Sequence, residues 1–268
     1  MAINPVPVLA QVIDIAREAA TAILEIYDTD FSVAQKDDHS PLTAADMAAH
    51  RVITEGLKNI TPNLPVLSEE SASIPFSERR KWYQFWLVDP LDGTREFIKR
   101  NGEFTVNIAL INDQSPILGV IWVPVTGVCY YACRGVGAFK QEQGGPAKRI
   151  FARAALPQSP EKIVVAGSRS HADKSLNVFL SKLGPHELIS MGSSLKSCLV
   201  AEGKVDLYPR LGPTSEWDTA AAHCIVEEAG GHMTDTQHKP LRYNARESIL
   251  NPDFFVFGDT RVDWKNYL

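Results

Sequence analysis

The chain has 268 residues, of which 44% are hydrophobic, so it is long enough to bury a sizeable core in one large unit or in two fused halves. Its 27 basic residues are outnumbered by 32 acidic ones, and the net charge of −5 argues against a surface built to hold nucleic acid. The chain has four cysteines and no Cys-x-x-Cys pair, and its N-terminal segment has no basic n-region and no uninterrupted apolar run. These features argue against a disulfide scaffold, a secretory signal and a membrane span, and they predict a cytoplasmic location. Whether the chain forms a homodimer, or associates peripherally with the inner membrane, stays open.

Two amphipathic helices are predicted at the start of the chain. The first covers residues 8–27, where apolar side chains recur at helical spacing. The second opens at Thr43 and runs towards residue 60, where Pro62 and Pro65 end it. Each helix is expected to pack one apolar stripe against a core.

Short strands follow these helices. They are predicted at residues 65–68, 85–88, 106–111, 117–123 and 128–132. Short turns join the later strands, so the sheet of the first half is expected to be mainly antiparallel. The glycines of Gly135-Val136-Gly137 predict a hairpin turn.

A polar segment rich in Gly and Pro, residues 141–146, predicts a junction between two halves. The predicted division is an N-terminal α+β half, residues 1–145, and a C-terminal α/β half, residues 146–268. In the second half, strands are predicted at 163–166 and 205–208, and helices at 176–183, 194–202 and 218–229. Helices and strands mix throughout without a solenoid repeat, which indicates a mixed α/β (α+β) fold.

Carboxylates stand at three points where predicted elements begin or end. Glu69 and Glu70 follow the strand at 65–68. Asp89 and Asp92 are placed in a tight turn after the strand at 85–88, and Asp218 opens the last long helix. Taken singly, each has an ordinary explanation: a solvated charge pair, turn chemistry, or a helix N-cap or first-turn acid.

The segment from Asp89 to Thr94 favours a metal site. Pro90 restricts the backbone between the two aspartates, and Gly93 permits a close approach. Two carboxylates held near each other repel, so a compensating cation is expected, and all-oxygen ligation suits Mg²⁺. Thr94 can begin a helix whose first N–H groups face a phosphate.

Three blocks, in this order, resemble the signature of the lithium-sensitive, magnesium-dependent inositol-monophosphatase superfamily. They are Glu69-Glu70, Asp89-Pro90-Leu91-Asp92-Gly93-Thr94 and Trp217-Asp218-Thr219-Ala220. The resemblance covers nearly the whole chain and implies an αβαβα layered sandwich. It also implies two or three Mg²⁺ ions per site. The implied metal ligands are Glu69, Asp89, the backbone carbonyl of Leu91, Asp92 and Asp218.

Longer runs resemble one branch of that superfamily, the bacterial 3′(2′),5′-bisphosphate nucleotidases. These runs are residues 94–98, 102–110, 168–173 and 192–196. The resemblance implies that metal-activated water hydrolyses the 3′-phosphate of adenosine 3′,5′-bisphosphate to AMP and phosphate. It implies a role in clearing this nucleotide during sulfate assimilation, with a small-molecule substrate and no nucleic-acid polymer.

The resemblance also assigns roles to single residues. Thr94 and Asp46 resemble the pair that orients the attacking water, with Glu69 as the third catalytic residue. Asp46 lies three residues after Thr43, so a capping box at the start of the second helix stays open as its alternative role. The implied substrate contacts are Leu91, Asp92, Gly93, Thr94, Ser168, His171, Gly192, Ser193, Lys196, Arg210 and Asp218.

Several of these assignments have alternatives. Lys196 suits a non-reacting phosphate as a point charge, but it could equally be a solvated helix lysine. His171 could equally be a neighbour of a helix cap. Arg210 stands where inositol monophosphatases tend to carry an acid, and a cation there suits a doubly phosphorylated substrate better.

Two other functions stay open at this point. One is an inositol monophosphatase or another sugar phosphatase of the same fold. The other, from a different class, is a metal-binding regulatory protein without turnover. The complete set of Glu69, Asp89, Asp92, Thr94 and Asp218 speaks against the second.

Overall fold

The computed structural model describes residues 2–29, 41–71, 73–154, 163–170 and 174–268. The helices are α1 (Leu9–Tyr27), α2 (Pro41–Ile60), α3 (Phe76–Arg79), α4 (Thr94–Ile98), α5 (Lys174–Leu183), α6 (Leu195–Ala201) and α7 (Glu216–Glu228). The first strands are β1 (Val66–Ser68), β2 (Gln84–Asp92), β3 (Thr105–Asn112), β4 (Ser115–Val123), β5 (Val128–Cys133), β6 (Gly137–Gln141) and β7 (Lys148–Arg149). The later strands are β8 (Ile163–Ser168), β9 (His186–Met191), β10 (Leu207–Arg210), β11 (His232–Asp235) and β12 (Phe254–Phe257).

The first sheet contains strands β1 to β7 in sequence order. The β1–β2 pair is parallel and every later pair is antiparallel, which confirms the predicted meander. Gly135 and Gly137 both have positive φ angles at the turn between β5 and β6, as the hairpin prediction requires. The second sheet is mixed, with the order β11-β12-β10-β8-β9.

Helices and sheets alternate in five layers, and this confirms the αβαβα sandwich. Helices α1 and α2 cover one face of the first sheet. Helices α6 and α7 lie between the two sheets, where α7 packs on β2 to β6 and α6 packs on β8, β10 and β12. Helix α5 covers the outer face of the second sheet. Within the described ranges, none of the helices is both long and apolar enough to cross a lipid bilayer.

Helix α7 and strand β4 approach each other very closely. A Cβ atom added to Gly119 on β4 would lie only 2.3 Å from the backbone oxygen of Ala221 on α7. The neighbouring residues Ala220 and Ala222 are also small and buried. A helix from the second half of the chain is therefore part of the core under the first sheet.

The predicted division at residue 145 lies in the hairpin between β6 and β7. Strand β7 still pairs with β6, so the chain leaves the first sheet only after Arg149. The chain therefore leaves the first sheet a few residues after the predicted boundary at residue 145. The central helices α6 and α7 lie between the two sheets.

Two predicted helix starts were wrong. Helix α2 begins at Pro41, so Thr43 lies within its first turn, and the capping-box alternative for Asp46 is excluded. Helix α7 begins at Glu216 with Ser215 as its N-cap, so Asp218 is its third residue and not its cap. The first-turn alternative for Asp218 is confirmed.

Candidate active site

Asp89 and Asp92 lie on strand β2, and the tight turn predicted for them is not formed. Asp89 pairs with Asn107 of β3 and Asp92 pairs with Thr105, so β2 has one residue more than β3 over this interval. Such a bulge reverses the usual alternation of side chains between the two faces of a sheet. Two residues three apart would ordinarily face opposite sides, but here both aspartates line one cavity.

Gly93 completes this geometry at the end of β2. Its φ angle of +100° is one that glycine adopts readily, and it precedes the first residue of α4, Thr94. A Cβ atom at Gly93 would lie 3.1 Å from the backbone oxygen of Glu103. The close approach predicted for Gly93 is therefore confirmed.

Asp218 reaches the cavity from the N-terminal turn of α7. A capping box holds it there: the Asp218 carboxylate accepts from the backbone N–H of Ser215 at 2.9 Å, and the Ser215 side chain accepts from the Asp218 backbone. The cap therefore fixes the carboxylate as well as the helix end.

Asp92 is held by side chains from both halves of the chain. Ser194 Oγ donates to Asp92 Oδ2 at 2.8 Å, and the backbone oxygen of Asp218 lies 3.0 Å from the same hydroxyl. Asn107 Nδ2 donates to Ser194 Oγ at 2.8 Å, and Thr105 Oγ1 donates to Asn107 Oδ1 at 3.0 Å. This hydrogen-bonded chain orients the carboxylate and links it to α7.

Asp46 and Glu69 approach the same region from the α2 side. Glu69 lies in a single 3-10 turn after β1, at the edge of the cavity. His50 Nδ1, one turn beyond Asp46 on α2, lies 2.9 Å from Ser68 Oγ and ties the helix to the strand that precedes Glu69. Burial, with the charges of Glu70 and Glu69, raises the pKa of Asp46 to about 8.

The clustered carboxylates raise each other's pKa values. Burial is the first cause for Asp89, whose pKa lies well above its ordinary value, and the charges of Asp92, Glu69 and Asp218 add to it. Burial and the Asp92 charge raise the pKa of Asp218 to about 8. Partial burial of its carboxyl group and the neighbouring Glu70 also raise the pKa of Glu69. This wall of the cavity therefore has a strong affinity for positive charge.

The lining of the same cavity also contains two cations, Lys196 and Arg210, which are called here its cationic wall. Lys196 is only 5% exposed, and its Nζ donates to the backbone oxygens of Ser193 and Met191 at 2.5 and 3.3 Å. Burial lowers the pKa of Lys196 to about 8, although the negative charge of Asp92 acts to raise it. Because Lys196 is buried, the alternative of a solvated helix lysine is wrong.

Arg210 lies on the same wall at the end of β10. Its Nη2 donates to the backbone oxygen of Pro213 at 2.9 Å. Its Nε is buried and has no hydrogen-bond partner among the described residues. A buried guanidinium N–H without a partner is well suited to bind an anion.

The cavity lined by these acids and cations has a volume of about 300 Å³, at the lower end of the range for small-molecule sites. It brings together most of the side chains predicted for the site. Those in its lining are Glu69, Asp89, Leu91, Asp92, Gly93, Thr94, Ser168, Ser193, Lys196, Arg210 and Asp218. Their roles as ligands and substrate contacts stay predictions.

Three predicted residues stand apart from this lining. Asp46 is half-buried and is not among the described lining residues, but its charge helps to raise the pKa of Asp89. Gly192 does not line the cavity in the part of the chain that the structure describes, and its N–H donates to Glu103 instead. His171 lies outside the described residues.

Sequence reasoning assigned no role to several residues around the site. Asn107, Ser194 and Glu103 were seen only as parts of longer runs. The contacts of Asn107 and Ser194 with Asp92 join residues 15 and 102 positions apart along the chain, so no local spacing could have identified them. The burial of Asn107 inside an apolar strand was the one available signal, because a buried amide requires hydrogen-bond partners.

The donor set fits a divalent cation. Deprotonation of these carboxylates would leave buried negative charge without compensation, and a bound cation removes that cost. Among the described residues, no three Asp, Glu, His or Cys side chains converge closely enough to form a ready-built ion cage. Mg²⁺ commonly needs only one or two carboxylates, because water and substrate phosphate complete its shell. Donors distributed around an open cavity are compatible with that mode of binding.

Known proteins resemble this chain in sequence and in fold. Residues 4–260 match the inositol monophosphatase family. The 3′(2′),5′-bisphosphate nucleotidase CysQ of Salmonella typhimurium is 54% identical over 250 residues, which cover 92% of this chain and 98% of that protein. The crystal structure of CysQ from Bacteroides thetaiotaomicron is 44% identical, with a TM-score of 0.83, and the match covers 93% of this chain and 96% of that one.

A more distant structure shares the fold. An inositol monophosphatase from Zymomonas mobilis is 24% identical, with a TM-score of 0.80 over 99% of both chains. The family match spans nearly the whole sequence, including the acidic wall and the cationic wall of the cavity. The chain therefore belongs to the inositol monophosphatase family of metal-dependent phosphatases.

Proposed function

We propose that this protein is a Mg²⁺-dependent phosphomonoesterase that removes the 3′-phosphate of adenosine 3′,5′-bisphosphate, giving AMP and phosphate. The observation that carries the proposal is that acidic and cationic side chains together line one cavity. An inositol ester has one phosphate, whereas a nucleotide bisphosphate has a second phosphate for the cationic wall. The nucleotidase name of the relative at 54% identity supports the same substrate, and the structure at 44% identity is also named CysQ.

The acidic wall holds the metal in this proposal. The ligands are the carboxylates of Glu69, Asp89, Asp92 and Asp218 and the backbone carbonyl of Leu91, for two or three ions. Mg²⁺, when bound, supplies an activated water and offsets the charge of the phosphoryl group. Thr94 and Asp46 orient the attacking water, at the N-terminus of α4 and on α2 respectively.

The cationic wall holds the non-reacting phosphate. An ammonium has three donors, and two of those on Lys196 are engaged by backbone oxygens, which leaves the third for a phosphate. Arg210 contributes its unpartnered Nε. Ser168 and Ser193 also line the cavity and supply hydroxyl contacts to the nucleotide.

Steady-state kinetics on two substrates test the proposal. We expect a higher kcat/KM for adenosine 3′,5′-bisphosphate than for inositol 1-phosphate, with the activity lost on chelation by EDTA and restored by Mg²⁺. A clear preference for the inositol ester would refute the substrate assignment. Absence of turnover on any phosphate ester would favour the metal-binding regulatory alternative.

Substitution of the ligands tests the site. Asp92→Asn and Asp218→Asn should each lower metal-dependent phosphate release by about a hundredfold or more, because each removes a charge from the metal ligands. Asp14→Asn is the matched control, since Asp14 forms an exposed ion pair with Arg17 on α1. Unchanged phosphate release in both ligand variants would show that the proposed site is wrong.

A further inference from the structure

Glu103 connects three segments that are far apart in the sequence. Its carboxylate accepts from Arg169 in a bidentate pair, with Nε to Oε2 at 2.7 Å and Nη2 to Oε1 at 2.8 Å. Oε2 also accepts from the backbone N–H of Gly192 at 2.8 Å. The Glu103 side chain is only 19% exposed, so these charge-assisted bonds are partly shielded from water.

These three segments are the runs 102–110, 168–173 and 192–196 that resemble the nucleotidase branch. Arg169 follows Ser168, which lines the cavity at the end of β8. Gly192 precedes Ser193, another lining residue, and leads into α6 with Lys196. One carboxylate therefore fixes the positions of two segments that supply proposed nucleotide contacts.

Helix α4 joins the end of β8 at two more points. Arg95 Nη1 donates to the backbone oxygen of Ser170 at 2.8 Å, and Lys99 Nζ donates to Ser170 Oγ at 2.9 Å. Arg169 Nη2 also donates to the backbone oxygen of Ser190 on β9 at 2.7 Å. Polar contacts next to the cavity thus connect α4, from the first half of the chain, to the segment that follows β8 in the second half.

Gly192 packs tightly against the same structure. A Cβ atom there would lie 2.5 Å from Glu96 Cγ and 2.7 Å from the backbone oxygen of Glu103. The segment that begins α6 is therefore seated directly on the loop that carries Glu103. A displacement of Glu103 would be transmitted to Ser193 and Lys196.

We infer that Glu103, through Arg169 and Gly192, is a positioning residue that sets recognition of the nucleotide and leaves the hydrolytic step unaffected. The inference rests on the proposed nucleotidase function. Glu103 is not among the residues that line the cavity in the described part of the chain, so it acts through its neighbours. Because the Arg169 side chain is 43% exposed, the ion pair contributes little to folding, and its loss should appear in substrate binding.

The test compares two substrates in Glu103→Gln, Glu103→Ala and Arg169→Ala. Adenosine 3′,5′-bisphosphate uses the base and second-phosphate contacts, whereas p-nitrophenyl phosphate offers only the reacting phosphate. We expect KM for the nucleotide to rise about tenfold, with kcat on the nucleotide and both constants on p-nitrophenyl phosphate within about twofold of the wild type. Arg169→Lys, which keeps the charge without the bidentate fork, should recover part of the KM increase.

Arg261→Ala is the matched control, because Arg261 makes a similar bidentate pair with Asp259, and neither residue lines the cavity in the described chain. It should leave KM unchanged. Thermal melts establish that each variant is folded, and the isosteric Glu103→Gln provides the test if Glu103→Ala does not fold.

Two failures can be told apart. A wild-type protein that hydrolyses other esters but not the nucleotide would overturn the proposed function and this inference together. A wild-type protein that hydrolyses the nucleotide, with KM unchanged in the Glu103 variants or raised equally for both substrates, would overturn this inference alone.

Discussion

The Ser194 hydroxyl is positioned to orient the Asp92 carboxylate of the site. It accepts from Asn107 and can donate to either the Asp92 carboxylate or the Asp218 backbone oxygen. Hydrogen bonds of this kind orient metal ligands and are costly to remove. At the scale of single residues, the acids were predictable from the sequence, but the side chains that hold them were not.

Replacement of Ser194 by Ala should therefore weaken metal binding. Asp92 would lose the Ser194 hydroxyl as a donor, and Asn107 would lose it as an acceptor, so the carboxylate would be less well oriented. We expect the Mg²⁺ concentration for half-maximal phosphate release to rise about tenfold. A Mg²⁺ titration of activity measures this.

Ser181→Ala is the control for this substitution. Ser181 is an exposed serine on α5 whose hydroxyl donates to the backbone oxygen of Val178. Its Mg²⁺ dependence should match the wild type. An identical Mg²⁺ dependence for Ser194→Ala would contradict the role given to the Asp92 hydrogen bond.

At the scale of elements, the bulge in β2 and the N-terminus of α7 determine the geometry of the site. The apolar run before Asp89 predicted a strand, and the strand continues through Pro90 to Asp92. A proline usually argues against a strand interior, and its position at a bulge explains why the sequence indicated a turn. The start of α7 was misplaced because Glu216 and Trp217 are buried first-turn residues that give no cap signal of their own.

The contact between α7 and β4 leads to a prediction about Gly119. In Gly119→Ala the new methyl group would meet backbone atoms of Ala221, which cannot move without displacing the helix. We expect the free energy of unfolding to fall by about 3 kcal/mol. Urea denaturation followed by circular dichroism measures this change.

Gly212→Ala is the matched control, because a Cβ atom at Gly212 would meet no atom of the described residues within 4 Å. Its unfolding midpoint should stay near that of the wild type. Equal midpoints for the two alanine variants would show that α7 is not seated on β4 as described.

At the scale of the whole molecule, the clustered carboxylates of the site repel one another when no metal is bound, and this repulsion affects the stability of the fold. The pKa values of Asp46 and Asp218 rise from 3.8 to about 8. Because these folded-state values exceed the unfolded ones, the folded protein binds protons more tightly. The resulting stability is fully present below about pH 4 and is lost as the pH rises towards 8.

The metal-free protein should therefore become less stable between pH 6 and pH 8. In EDTA we expect the Tm to fall by about 3 °C or more over this interval, and Mg²⁺ should raise the Tm more at pH 8 than at pH 6. The Lys196 pKa, lowered from 10.5 to about 8, has the opposite effect, but only above pH 8. Thermal melts at both pH values measure the trend.

Asp218→Asn should reduce this pH dependence, because it removes one of the titrating carboxylates. Asp14→Asn, on the exposed face of α1, should not. A metal-free Tm that rises from pH 6 to pH 8 would contradict the assignment of raised pKa values to the site.

The sequence by itself determined the mixed fold class, the meander, and the acids of the site. Apolar residues at helical or alternating spacing report local structure, and Asp89, Asp92 and Asp218 stand in short blocks that can be recognised without knowing the path of the chain. Other elements carry weak local signals. Strand β9 is largely exposed, and β7 has only two residues, so neither produces a clear pattern.

Only the tertiary structure decided how these acids are arranged and what holds them. Asp89 and Asp92 point to the same side of the sheet because β2 has one extra residue at a bulge. That bulge is defined by the pairing of β2 with β3. The link from Asp92 to Ser194 and the link from Glu103 to Arg169 join residues 102 and 66 positions apart. Such contacts depend on where the chain returns in space, and the hydrogen-bonding capacity of a side chain does not reveal its distant partner.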